Sequence, residues 1–170
     1  AKQTYDRMID LVDLAEKYLI NQNAWEIEKP LGSISTEPMR NEIAQLRQSI
    51  STVITLPVLF NLTNSKRGFD FSNQDDVKSI ATRGPVTPDH VIRTKRIPMI
   101  DRDVNQYSKE YASYFDTNEP NAKERKTMLD AAPRVILDQE FGLCTVGKNM
   151  DEVGIVADLY EHTMQCILRA

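Results

Sequence analysis

Val135-Ile136-Leu137-Asp138-Gln139-Glu140-Phe141-Gly142-Leu143-Cys144-Thr145-Val146-Gly147-Lys148-Asn149 runs directly into Met150-Asp151-Glu152-Val153. Val135 to Leu137 and Gly142 to Val146 are short apolar runs separated by a polar turn, Asp138 to Phe141. The pattern predicts two strands of a hairpin, closed by Gly147 to Asn149. From Asp151 the apolar period changes from two to nearly four. Val153, Val156, Tyr160, Met164 and Ile167 fall on one helical face. A hairpin followed by an amphipathic helix, in a chain where strands and helices alternate, predicts a sheet layered with helices.

Working towards the amino terminus, the same alternation recurs. Asp103 is placed to cap a helix whose face is Val104, Tyr107, Tyr111, Tyr114 and Phe115, followed by a polar loop, 116–126. The tyrosines read as core and boundary packing. His90 to Lys95 reads as a strand, with Arg83-Gly84-Pro85-Val86-Thr87-Pro88 forming a turn before it. Asp75 to Thr82 predicts a short helix, Phe69 to Phe71 a short return strand after the turn 64–68, and Pro57 to Leu62 a strand. Ile43, Leu46, Ile50 and Val53 give the stripe of a helix started by Thr36-Glu37-Pro38. Residues 1–20 form a further amphipathic helix, with Tyr5, Met8, Ile9, Val12 and Leu19 on one face. No capping residue precedes it, as expected of a chain continuing from an earlier domain; a trimmed start would look the same. The predicted organisation is therefore a helix over 1–22, a linker over 23–36, and an α/β domain over 37–170 with a layered sheet and flanking helices.

Composition narrows function. Of 170 residues, 41% are hydrophobic and 27% charged, a globular balance. The net charge of −4 argues against a nucleic-acid partner. No apolar run approaches the roughly 20 residues that span a bilayer, so no membrane partner is expected. Cys144 and Cys166 match no metal spacing and read as reduced, buried thiols of a cytoplasmic protein. The sequence contains no His-x-x-x-His, Cys-x-x-Cys or Gly-x-Gly-x-x-Gly. His90 and His162 lie in different predicted elements and nominate no metal partners, so no metal ligand and no catalytic residue is assigned.

The remaining signal is a basic cluster: Arg83, Arg93, Lys95, Arg96 and Arg102. On a strand Arg93 and Lys95 would point to one face. With His90 they are the candidate anion- or substrate-binding residues. Asp89, Asp101 and Asp103 lie close enough in sequence to neutralise the cluster instead, giving an internal or interdomain ion-pair network.

The string Arg83 to Arg96 resembles a segment of the bifunctional class II aldolase/short-chain dehydrogenases, of the rhamnulose-phosphate aldolase/lactaldehyde dehydrogenase type. Tyr5 to Val12 resembles the helix that closes their aldolase domain. Pro133 to Leu137 and Phe141 to Thr163 resemble the stretch before their dehydrogenase domain. The resemblance implies a connecting segment whose partners are the flanking aldolase and dehydrogenase domains of a homo-oligomer. It implies no cofactor in the segment itself, and zinc and NAD in the parent protein. That parent would cleave a sugar phosphate and oxidise an aldehyde or alcohol.

A further resemblance is to the class II aldolase fold. Val91 to Lys95 resembles its metal-histidine strand, with Arg93 and Lys95 at two ligand positions. Glu140-Phe141-Gly142 resembles the later hairpin, with Phe141 at the third. Residues 37–170 are thus a candidate degenerate second copy of that fold, in which Phe141 approaches Arg93 and Lys95 and a carboxylate or anion pairs with one of them. An unrelated α/β linker domain is the alternative.

Overall fold

The computed structural model describes residues 2–24 and 39–170. The Thr36-Glu37-Pro38 helix start and most of the predicted linker lie outside the described residues. The elements are α1 (Lys2–Asn21), α2 (Arg40–Ile54), β1 (Leu59–Leu62), α3 (Lys66–Ser72), α4 (Val77–Ala81), α5 (Val91–Thr94), β2 (Met99–Ile100), α6 (Val104–Asn118), β3 (Val135–Asp138), β4 (Gly142–Gly147) and α7 (Met150–Arg169). The sheet has the order β1-β4-β3-β2. β1 and β3 pair antiparallel with β4, and β2 pairs parallel with β3. The fold is α/β, as the hairpin and its following helix predict.

Every residue of β3 and β4 is buried, because helices cover both sheet faces. Successive side chains alternate between the two layers. Ile136, Cys144 and Val146 join Leu46, Ile50, Met99, Val104, Tyr107 and Phe141 in one core, supplied by α2 and α6. Val135, Leu137 and Leu143 join Phe71, Val77, Val156, Tyr160 and Met164 in the other, supplied by α3, α4 and α7. Burial drives the Cys144 thiol well above its usual pKa, which makes it an inert core residue. Cys166, expected to be buried, is only half-buried on α7, with Sγ 3.7 Å from His162 Nε2.

Local chemistry sets the element ends. Asp103 accepts a hydrogen bond from Gln106 N at 2.8 Å and starts α6. Asn149 caps α7, which starts one residue before Asp151, by accepting from Glu152 N at 2.8 Å. α6 runs on to Asn118 and a further turn of 3-10 helix spans Glu119–Asn121, so half of the predicted loop 116–126 is helical.

Two strand predictions are overturned. Residues 66–72 are helical rather than a turn and return strand. Ser65 caps them by accepting from Gly68 N at 3.1 Å, and the exchange places Phe71 under the sheet. The segment His90 to Lys95 is also helical. Pro88 sits in the first turn of a 3-10 helix, Pro88–His90, that passes into α5. His90 N donates to Thr87 O and Lys95 N to Val91 O, so the backbone groups a strand would offer to a neighbour are used locally. The short strand β2 was not anticipated. It is too brief to show a period, and Pro98 precedes it.

α1 forms as predicted, yet none of its residues is buried; Tyr5, Met8, Val12 and Tyr18 are all more than half exposed.

The β3–β4 turn requires a glycine. Gly142 has φ 69°, and a Cβ there would stand 3.1 Å from the Phe69 backbone. Gly142→Ala is expected to destabilise the domain by about 1–3 kcal/mol, through left-handed strain and the close approach together. Urea unfolding measures it; an unchanged midpoint would refute the strain.

Candidate functional site

Two cations of the basic cluster are held inside the fold, one at each end of the β2 segment. Lys95 follows α5 directly and has a positive φ of 64°. It is only 2% exposed. Its Nζ donates to the backbone oxygen of Asp130, lies 4.0 Å from Asp130 Oδ1, and sits 4.4 Å from the centre of the Tyr111 ring. Asp130 is shared with Arg134, whose Nη2 donates to Oδ2 at 2.5 Å. Burial pulls the Lys95 pKa down to about 8; the Asp130 charge resists this and Arg134 reinforces it. Burial raises the Asp130 carboxyl, but the Arg134 hydrogen bond and the Arg134 and Lys95 charges outweigh it, leaving its pKa below the usual range.

Arg102 is the second clamp. Its Nε and Nη2 donate to the two Asp138 oxygens at 2.6 and 2.9 Å. Nη2 also donates to Glu140 Oε2 at 2.5 Å, and Nη1 donates to Glu42 on α2. The guanidinium carbon lies 4.0 Å over the Phe141 ring. Asp138 further accepts from Glu140 N and Phe141 N, both at 2.9 Å, which shapes the turn. The Asp138 hydrogen bond is the main reason the Arg102 pKa rises above its ordinary value. For Asp138, burial acts upward, but Arg102 and the two backbone donors carry the carboxyl below its normal pKa.

These contacts decide the fate of the predicted site. Arg93 is exposed on α5 and Lys95 is buried, but both line one cavity of about 180 Å³ with Asp130, Arg134, Lys148 and Glu152. His90 is not among its lining residues, and its buried Nδ1 has no hydrogen-bond partner. A carboxylate does pair with Lys95, as expected, and it is Asp130 rather than a neighbour in sequence. Phe141 stacks under Arg102 and not beside Arg93 or Lys95. With residues 90–95 helical, their match to a metal-histidine strand fails, and so does the placing of Arg93, Lys95 and Phe141 at three ligand positions. Asp130, Arg134 and Lys148 escaped sequence reading. Only the i, i+4 spacing of Asp130 and Arg134 hinted at a pair, in a stretch with no helical pattern.

The tyrosines of α6 serve as packing and as ring faces for cations. Tyr107 is buried and donates to Ile97 O at 2.9 Å, while Tyr114 lies 4.8 Å beneath the Arg96 guanidinium. Among the described residues, no three or more His, Cys, Asp or Glu side chains gather as a metal-ligand set. No described helix is long and apolar enough to cross a membrane.

Because Lys95 has a folded pKa near 8, below its ordinary value of 10.5, the unfolded chain holds the extra proton between those limits. Stability must therefore rise with pH there, by up to about 1.4 kcal/mol per pH unit. Urea unfolding of the chain and of Lys95→Met from pH 7.5 to 9.5 should show the difference moving in favour of the unsubstituted chain; parallel profiles would contradict the burial. Arg102→Met should cost about 2 kcal/mol, less than the roughly 3–5 of a fully buried pair, because the Arg102 side chain is 33% exposed. Adding Asp138→Asn should recover part of that loss, and strict additivity would argue against the clamp.

The comparisons with known proteins agree with this architecture. The family model described as "Aldolase class II, second domain" matches residues 37–170. The uncharacterized oxidoreductase YuxG of Bacillus subtilis strain 168 is 21% identical over 182 residues, covering 94% of this chain and 26% of that protein. The chain thus spans about a quarter of the length of this curated relative. No solved structure matches. Residues 37–170 make up well over half of the chain, which therefore belongs to the family of class II aldolase second domains.

Proposed function

We infer that this chain is a non-catalytic connecting domain of a bifunctional class II aldolase/short-chain dehydrogenase. The observation that carries this reading is the internal use of the cluster's two inward-facing cations. Lys95 and Arg102 bind Asp130, Asp138, Glu140 and Glu42, which fixes segments to one another and leaves no poised acid–base pair between them. Membership of the second-domain family supports a place beside an aldolase domain. Similarity to a protein named as an oxidoreductase, of which the chain covers about a quarter, supports a second activity elsewhere in a longer protein.

In this reading α1 is the last helix of a preceding aldolase domain. Its exposed stripe of Tyr5, Met8, Ile9 and Val12 is the face that domain covers. The parent is a homo-oligomeric cytoplasmic enzyme of sugar catabolism, of the rhamnulose-phosphate type. It uses zinc to cleave a sugar phosphate and NAD to oxidise an aldehyde or alcohol. The chain contributes rigidity and interdomain contacts to both activities.

The test separates the domain from its parent. The 170-residue chain is expected to show neither retro-aldol cleavage of a ketose 1-phosphate nor reduction of NAD with lactaldehyde. Metal analysis after dialysis against zinc is expected to find no stoichiometric metal. Turnover in either assay, or one tightly held zinc per chain, would overturn the reading.

A further inference from the structure

The cavity beside Lys95 has a charge that its surroundings do not explain. The chain as a whole is acidic, with a net charge of −4. Yet four basic residues, Arg93, Lys95, Arg134 and Lys148, line this one cavity against two acidic ones, Asp130 and Glu152. They come from three separate places: the end of α5, the coil entering β3, and the β4–α7 turn. Both carboxylates are engaged. Asp130 is held by Arg134 and Lys95, and Glu152 Oε2 accepts from the Lys148 backbone N–H at 2.9 Å. The side chains of Arg93 and Lys148 have no acidic partner among the described residues.

Four cations facing one cavity raise its local positive potential and draw an anion to it. We propose that this cavity binds a small phosphorylated metabolite, its phosphate held by Arg93, Arg134, Lys95 and Lys148. Arg93 offers a planar donor fork suited to phosphate oxygens, while Arg134 spends Nη1 on Ala132 O and Nη2 on Asp130 and contributes its charge and remaining N–H groups. Lys95 spends one of its three ammonium donors on Asp130 O and retains two. The buried residues Val146 and Val156 supply an apolar wall for a short carbon chain. At about 180 Å³ the space is below the several hundred Å³ of drug-sized and cofactor sites, which excludes a dinucleotide and favours a small organic phosphate. A dianionic head matches the local excess of two positive charges better than two carboxylates separated by a carbon chain. The role is binding, not catalysis, and it goes beyond the connecting-domain reading without resting on it.

The probe is glycerol 3-phosphate, titrated calorimetrically into the chain at low ionic strength, with inorganic phosphate and succinate in parallel. Saturable one-site binding of glycerol 3-phosphate is expected, tighter than that of either reference anion. Arg93→Ala combined with Lys148→Ala should weaken it at least about tenfold, since each lost charge-assisted contact is a strong one. Both side chains are exposed and make no ion pair among the described residues, so the thermal transition should barely move. The charge-matched control, Lys123→Ala with Arg125→Ala, lies outside the cavity and should leave affinity unchanged. The proposal is overturned if no saturable heat appears, if the control weakens binding as much as the cavity variant, or if succinate binds as tightly as glycerol 3-phosphate.

Discussion

The constraint on which the domain depends is the parallel pairing of β2 with β3. β2 has only two residues, Met99 and Ile100, set against Ile136 and Leu137. Two residues offer few ladder hydrogen bonds, each worth about 1 kcal/mol net, too little to hold an edge strand in register. The protein supplements the strand at both ends with charge. Lys95, four residues before β2, reaches Asp130 in the coil that enters β3. Arg102, two residues after β2, reaches Asp138 at the exit of β3. The two stretches thus run side by side with a cation fixed to a carboxylate at each end, and Tyr107 ties Ile97 to α6 between them.

This arrangement explains why burying these charges is tolerable. A buried ion pair contributes little net stability, because desolvation consumes most of the Coulombic gain, while an orphaned partner is expensive. What such a pair supplies is specificity. If β2 slipped along β3, Lys95 and Arg102 would leave Asp130 and Asp138 together, and the loss would far exceed that of two ladder bonds. Arg102 extends the same logic across layers. It joins Glu42 of α2 and Glu140 of the hairpin turn, and covers Phe141 at the core edge. Helix layer, turn and edge strand are therefore locked by a single guanidinium, which has the planar geometry to serve several carboxylates where a lysine does not.

The same economy bears on function. Lys95 and Arg102 are taken up as internal fasteners between segments of the domain. The cavity at the end of α5 is the exception. There the fasteners Lys95 and Arg134 stand beside Arg93 and Lys148, which fasten nothing among the described residues. A surplus of charge left at the seam of three segments is where ligand recognition is compatible with a structural role.

The sequence by itself determined the elements with strong local codes. The hairpin around Gly142, α6 behind its Asp103 cap, α7 with its apolar stripe and the apolar runs of β3 and β4 all follow from period, capping and turn chemistry within a few residues. So does the layered α/β class, because strands that alternate with amphipathic helices imply a sheet covered by helices. It also marked the basic cluster as unusual and left open whether it binds an anion or pairs internally. Tertiary structure decided what local pattern could not. Residues 69–71 and 90–95 read as strands but form helices, since the Ser65 cap and the helical turn begun at Pro88 use their backbone groups locally. β2 exists only because β3 is there to pair with it. Lys95 and Arg102 find partners 35 and 36 residues away, separations at which no spacing rule operates. Arg93, Arg134 and Lys148 meet only because the chain returns three times to the same end of the sheet.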